Sequence, residues 1–230
     1  MSRTTQKKTS SMKSPVKFYI EFKGDTGTYT YSVKNEDGSY ETKKLDQLKF
    51  ILIETKASII GWSDEHGKKI FSNLVDDSKK EEFQLKVKTS GGKIEVLAQG
   101  LYSDNKEKFK ALGGKFCTNL FALAEIDGQY EPVILQVSKN SQAEWSRFTK
   151  DNPIRKLYDS IIIAGKGGEN KKGRVVYFAP LFETAELPSD LAELADNFDK
   201  NELTPYFKSL SGEVEQAEET EQEQDEDPCF

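Results

Sequence analysis

The chain has 230 residues, 36% of them apolar and 31% charged, with 33 Lys and Arg against 39 Asp and Glu for a formal net charge of −6. That length can bury a sizeable core in one domain, or at most two, without staples, and apolar runs such as those at 50–53 and 161–164 are far below the roughly 20 residues a membrane-spanning helix needs. Two cysteines, Cys117 and Cys229, make neither a disulfide framework nor a zinc site, and the basic N-terminus MSRTTQKKTSSMKSPVK lacks the apolar stretch of a secretory signal, so the expected location is the cytoplasm.

The charge is unevenly placed. Residues 1–17 carry Arg3, Lys7, Lys8, Lys13 and Lys17 with no acid, whereas residues 213–230 carry nine acids and no base. Both stretches are poor in apolar residues and are expected to be disordered, a basic arm at 1–17 and an acidic tail at 213–230. Without the tail, residues 1–212 hold 33 bases and 30 acids, a formal charge of +3. The folded body is expected over 18–212.

The body reads mainly as strands with a few helices. Thr28–Val33 alternates, with Tyr29, Tyr31 and Val33 on one face, and Asp37-Gly38 turns it into a second strand around Tyr40 and Thr42. A long apolar strand follows over Lys49–Ser63. Glu82–Thr89 then points Phe83, Leu85 and Val87 inward, and after Gly91-Gly92 the segment Lys93–Tyr102 does the same with Ile94, Val96 and Ala98. Ser103 is placed to cap a short helix with Phe109 and Leu112 inside, ended by Gly113-Gly114. Lys115–Glu125 pairs with Tyr130–Val137 across Asp127-Gly128. The spacing of Ser141 and Glu144 predicts a capping box ahead of Trp145 and Phe148. Ser160–Gly165 and Arg174–Phe182 flank a Gly- and Lys-rich loop, and Leu191, Leu194, Ala195 and Phe198 mark a closing helix. Short strands with turn signals and interleaved helices predict an OB-like antiparallel β-barrel, closed or partly closed, with additional hairpins and helices.

Enzyme constellations are missing from the sequence. No phosphate-binding G-x-x-x-x-G-K-[ST] and no G-x-S-x-G nucleophile elbow occurs, and the one histidine, His66, stands in the polar turn WSDEHGKK without a second His or Cys nearby. Scattered carboxylates leave a magnesium site open, but nothing in their spacing builds one. The expectation is a protein without catalytic residues, cofactor or metal.

What is present is an interleaving of aromatics with lysines: Tyr29, Tyr31 and Lys34; Tyr40, Lys43 and Lys44; Trp62, Lys68, Lys69 and Phe71; Lys86 and Lys88; Tyr102, Lys106 and Lys110. Single-stranded nucleic acid calls for this mixture, because ammonium groups neutralise phosphates while rings stack on unpaired bases at about 1–3 kcal/mol each. The same pattern also describes core aromatics and the solvated faces of antiparallel strands. Trp62 follows Gly61 where an apolar run gives way to a polar turn, a place where a large ring can be left exposed. The stretch Lys166–Arg174, with Lys166, Lys171, Lys172 and Arg174, can wrap phosphates and can equally be a soluble hairpin tip.

The acidic end closes in EQDEDPCF, with Asp225, Glu226 and Asp227 ahead of Phe230. An aromatic anchor carrying an α-carboxylate suits a small basic-rimmed pocket on a partner, while the acids steer the encounter or cover the protein's own basic groove. This ending resembles the C-terminal tip of bacterial and phage single-stranded DNA-binding proteins, where an acidic run closes with Pro and a terminal Phe. Here Cys229 intervenes between Pro228 and Phe230. The resemblance covers the last few residues closely, and 18–212 fits the elaborated OB body of the phage proteins in pattern only. It implies sequence-independent binding of single-stranded DNA in replication, recombination and repair, with the tail recruiting polymerase, primase or helicase. The rival reading is an acidic-tailed interaction protein, a DNA mimic or chaperone-like chain; a metal-dependent nuclease is a third class.

Overall fold

The computed structural model of the chain describes residues 12–211. The first eleven residues and the acidic end, including Asp225, Glu226, Asp227 and Phe230, lie outside the described residues. Val16–Pro188 forms one compact unit, and the helical segment that begins at Ser189 belongs to a second.

The first unit is built on eleven strands: β1 (Phe18–Lys23), β2 (Thr28–Lys34), β3 (Tyr40–Leu45), β4 (Leu48–Ser63), β5 (Lys68–Phe71), β6 (Phe83–Lys88), β7 (Ile94–Gly100), β8 (Gly114–Ile126), β9 (Gln129–Ser138), β10 (Ser160–Lys172) and β11 (Val175–Glu186). Three helices are set among them, α1 (Tyr102–Ala111), α2 (Lys139–Asp151) and α3 (Ile154–Tyr158). The strands form one sheet in the order β3-β2-β1-β9-β8-β4-β5-β6-β7, with β10 joining the first part of β4 and carrying β11. The sheet is open and mixed. β1 runs parallel to β9, from Phe18 beside Val133 to Glu21 beside Gln136, and the expected OB-like antiparallel barrel, closed or partly closed, gives way to an open sheet with one parallel junction. Alternation in a sequence reports which residues share a face, not which strands become neighbours. The parallel junction joins β1 to a strand far along the chain, a pairing that turn signals do not announce.

Local chemistry explains most of the elements. The β2–β3 turn holds Gly38 at φ 85° while the carboxylate of Asp37 accepts the Ser39 N–H at 2.8 Å. Asp127 and Gly128 both take left-handed φ, 52° and 80°, the pair of values a tight two-residue hairpin requires. Gly113, at φ 86°, ends α1 as expected. The expected caps differ. Leu101, not Ser103, precedes α1, and Ser103 donates instead to Asp104 at 2.7 Å. α2 starts at Lys139, which leaves Ser141 buried inside its first turn and Glu144 paired with Arg147 at 2.6 Å.

Two apolar clusters share β4. The first gathers Ile20, Tyr29, Tyr31, Phe50, Leu120, Leu135, Trp145 and Phe182 from the first half of the sheet with α2. The second gathers Ala57, Ile59, Ile70, Phe83, Leu85, Val87, Ala98 and Phe109 around α1. Trp145 meets Phe182 edge-on at 5.2 Å and lies in the core.

The second unit, in its described part, is α4 (Ser189–Phe198), a π-helical stretch (Asp199–Leu203) and α5 (Thr204–Ser211). Ala195 and Phe198 are buried as their helical spacing predicts, whereas Leu194 is exposed. No helix of the described residues is long and apolar enough to cross a membrane.

Candidate nucleic-acid interface

In an antiparallel pair, residues directly opposite share a face, and the pairing of β4 through β7 therefore sorts the predicted residues. Trp62 stands opposite Lys69, and Ile60 opposite Phe71. Phe71 in turn faces Lys86. Lys86 faces Val96, and Lys88 faces Ile94. Ile60 also faces Lys115 on β8. The second apolar cluster occupies the reverse face, through Ile59, Ile70, Leu85 and Val87. One continuous surface thus alternates rings and aliphatic groups with ammonium groups across four strands. Trp62 is 55% exposed, Ile94 54% and Val96 50%, values far from those of core side chains. Lys69, Lys86 and Lys88 form no ion pair among the described residues, so their charges are available to a ligand.

Ile94 and Val96 were expected to point inward with Ala98. A bulge between Leu85 and Lys86 of the partner strand shifts the register, so that Leu85 faces Ala98 and Lys86 faces Val96. The extra residue, Leu97, packs toward the second cluster beside Ala98. A single inserted residue reverses the facing of everything beyond it. This puts two aliphatic side chains on the candidate surface that alternation assigns to the core.

Beside this surface a pocket of about 390 Å³ opens between α1, the start of β8 and the start of α2. It is lined by Tyr102, Phe116, Gln142 and four lysines, Lys106, Lys110, Lys115 and Lys139, with Gly113 and Gly114 at its corner. Tyr102 and Phe116 lie 4.9 Å apart, and Tyr102 stacks on Phe109 with the ring planes 9° apart. Burial, with a smaller contribution from Glu107, raises the Tyr102 hydroxyl above its ordinary pKa. The corner is backbone packed on backbone: a Cβ at Gly113 would stand 1.9 Å from the Trp62 carbonyl oxygen, and one at Gly61 would stand 2.0 Å from that of Gly113. Only glycine fits at either position.

The remaining predicted residues lie elsewhere. Tyr29 and Tyr31 are core residues, 1% and 4% exposed, meeting Phe22 and Phe18 edge-on, so neither offers a ring to a base. Their strand alternates as expected, but the face they occupy is the one turned inward. Lys34, Tyr40 and Lys44 share the outer face of the β2–β3 ribbon, at the opposite end of the strand order from β5–β7. Lys43 is tied to Glu41 at 3.0 Å. Lys68 lies on the other face of β5 from Lys69 and donates to Ser90 at 2.9 Å. The stretch containing Lys166, Lys171, Lys172 and Arg174 is not an open loop. Pairing continues to Lys172 opposite Val175, and the irregularity between Lys166 and Glu169 absorbs two of its glycines. Lys166 spends its charge on the Phe178 ring, 3.6 Å from the centroid.

His66 hydrogen-bonds Ser63 at 3.0 Å within the β4–β5 turn. Among the described residues no group of His, Cys, Asp and Glu is arranged to hold a metal. Comparisons with protein-family models, with curated proteins and with solved structures found no match.

Proposed function

We propose that the protein binds single-stranded DNA without reading sequence, on the β4–β7 face. The observation that carries this reading is the alternation of Trp62, Phe71, Val96 and Ile94 with Lys69, Lys86 and Lys88 on one exposed surface. Rings and aliphatic groups support bases through contacts every base can make, and lysines on flexible stems follow the backbone charge. The open sheet serves here as the platform that the groove of an OB barrel would provide. The acidic end, with Asp225, Glu226, Asp227 and Phe230, recruits replication partners in this reading and competes with DNA for the basic surface.

Tryptophan fluorescence tests it. Trp145 is buried, so quenching by a thymidine oligomer must come from Trp62. Titration should saturate, weaken with salt and tighten when residues 213–230 are removed. Trp62→Ala should abolish the quenching and cost about 1–3 kcal/mol in affinity measured by anisotropy. Absence of binding by both chains at low salt would sink the reading in favour of an acidic-tailed interaction protein.

A further inference from the structure

The pocket beside α1 holds a combination that strand binding on the sheet face does not use. Four lysines line it and no acid does, although Lys110 pairs with Glu107 at 3.8 Å just outside it. Like charges gathered around one cavity repel one another, and a bound anion relieves that repulsion. Three different elements supply them: Lys106 and Lys110 from α1, Lys115 from β8, and Lys139 from the first position of α2. Lys139 is held in the left-handed region at φ 53°, a conformation a lysine adopts at a cost outside a tight turn. The rings of Tyr102 and Phe116 provide apolar surface for a flat group. Gln142 also lines it, its Nε2 donating to Ser146 at 3.4 Å. A ligand that satisfies the pocket therefore brings negative charge and a flat ring.

We infer that this pocket binds a nucleoside phosphate, with the base against Tyr102 and Phe116 and the phosphate among the lysines. A terminal phosphate carries more charge than a phosphodiester inside a strand, so the ligand is either a free nucleotide or the phosphorylated end of a DNA strand. The chain's own acidic C-terminus also offers a ring and carboxylates, and the peptide DEDPCF tests it as a competing occupant.

The test is calorimetric titration of the full chain with thymidine 5′-monophosphate, thymidine and inorganic phosphate. The nucleotide should bind saturably and at least about ten-fold tighter than either half alone, a difference of about 1.4 kcal/mol. Lys115→Ala with Lys139→Ala should weaken it by at least about ten-fold, and Tyr102→Leu should remove the advantage of the nucleotide over phosphate. Lys106→Gln with Lys110→Gln, on the exposed side of α1, gives a second variant whose fold is independent of the β8–α2 corner.

Thymidine oligomers about ten nucleotides long, with and without a 5′-phosphate, separate the two sources. A gain from the phosphate that the lysine variants erase identifies the strand end, and no gain with the mononucleotide still bound identifies the free nucleotide. Both uphold the inference. Absence of saturable nucleotide binding, nucleotide binding untouched by both lysine pairs, or binding of the peptide DEDPCF in its place would overturn it. Trp62→Ala should leave nucleotide affinity unchanged. Loss of oligomer binding alone therefore counts against the sheet-face reading, and loss of nucleotide binding alone counts against this one.

Discussion

Cys117 and Tyr29 place titratable side chains in the core, and burial pushes both upward. The Cys117 thiol rises from an ordinary 9.0 to about 12, and the Tyr29 hydroxyl rises above its ordinary 10.0 with no hydrogen-bond partner for its oxygen. Both groups are neutral when protonated, so the folded chain holds protons that the unfolded chain releases. Stability is therefore unaffected by them below about pH 9 and falls as pH climbs from there, through the Cys117 window up to about pH 12. Each group contributes a slope of at most about 1.4 kcal/mol per pH unit. Urea midpoints measured from pH 7 to 11 should show this decline, and Cys117→Ala should flatten its first part. Exposed glycine turns supply a second comparison at this scale. Gly38 and Gly113 have nearly the same φ, 85° and 86°, but nothing lies within 4 Å of a Cβ at Gly38. Gly38→Ala should cost about 1 kcal/mol of backbone strain. Gly113→Ala should cost clearly more, because the Trp62 carbonyl cannot withdraw, and the difference in denaturation midpoint measures that close approach.

The candidate surface belongs to the β4–β7 meander rather than to any one strand. Its lysines set the ionic response. Each of Lys69→Ala, Lys86→Ala and Lys88→Ala should reduce the slope of log affinity against log salt by about 0.7 if each lysine displaces one counterion. Lys68→Ala, on the reverse face, should leave the slope unchanged. Much of this meander was legible in the sequence. The limits of β4 and the β6 alternation follow from apolar period, and Trp62 announces itself at the end of an apolar run, whereas the short strand β5 was not read; outside the meander, both Asp-Gly hairpins follow from turn chemistry. The facing of Ile94 and Val96 was hidden, because a bulge leaves no compositional mark. Tyr29 and Tyr31 show the converse: their alternation is plain, but alternation does not say which face is wet. The pocket was half visible. Tyr102, Lys106 and Lys110 are neighbours on one helix, whereas Lys115, Lys139 and Gln142 join them only through the β8–β9 hairpin. β1 and its parallel pairing with β9 were not read: Gly24-Asp25-Thr26-Gly27 marks where β1 ends, but a turn does not report a parallel partner far along the chain.

At the scale of the molecule, the 16-residue strand β4 belongs to both apolar clusters, pairing with β10 and β8 in its first half and with β8 and β5 in its second. Neither cluster can open without stripping one side of it. Native-state hydrogen exchange should therefore show the central β4 amides exchanging only by global unfolding, with the terminal strands β3 and β7 exchanging earlier. Equal protection across the strand order would contradict a shared central strand. The contact of Gly61 and Gly113 adds a stiff element to this frame. Side chains absorb displacement by changing rotamer, but two backbones in van der Waals contact have no such slack. An event at the α1–β8 corner is transmitted to the peptide that carries Trp62 without an intervening compressible layer. The exposed indole thus becomes an optical gauge of a corner it does not line, and the anisotropy of the Trp62→Ala chain is what tells a base on the ring from movement at that corner.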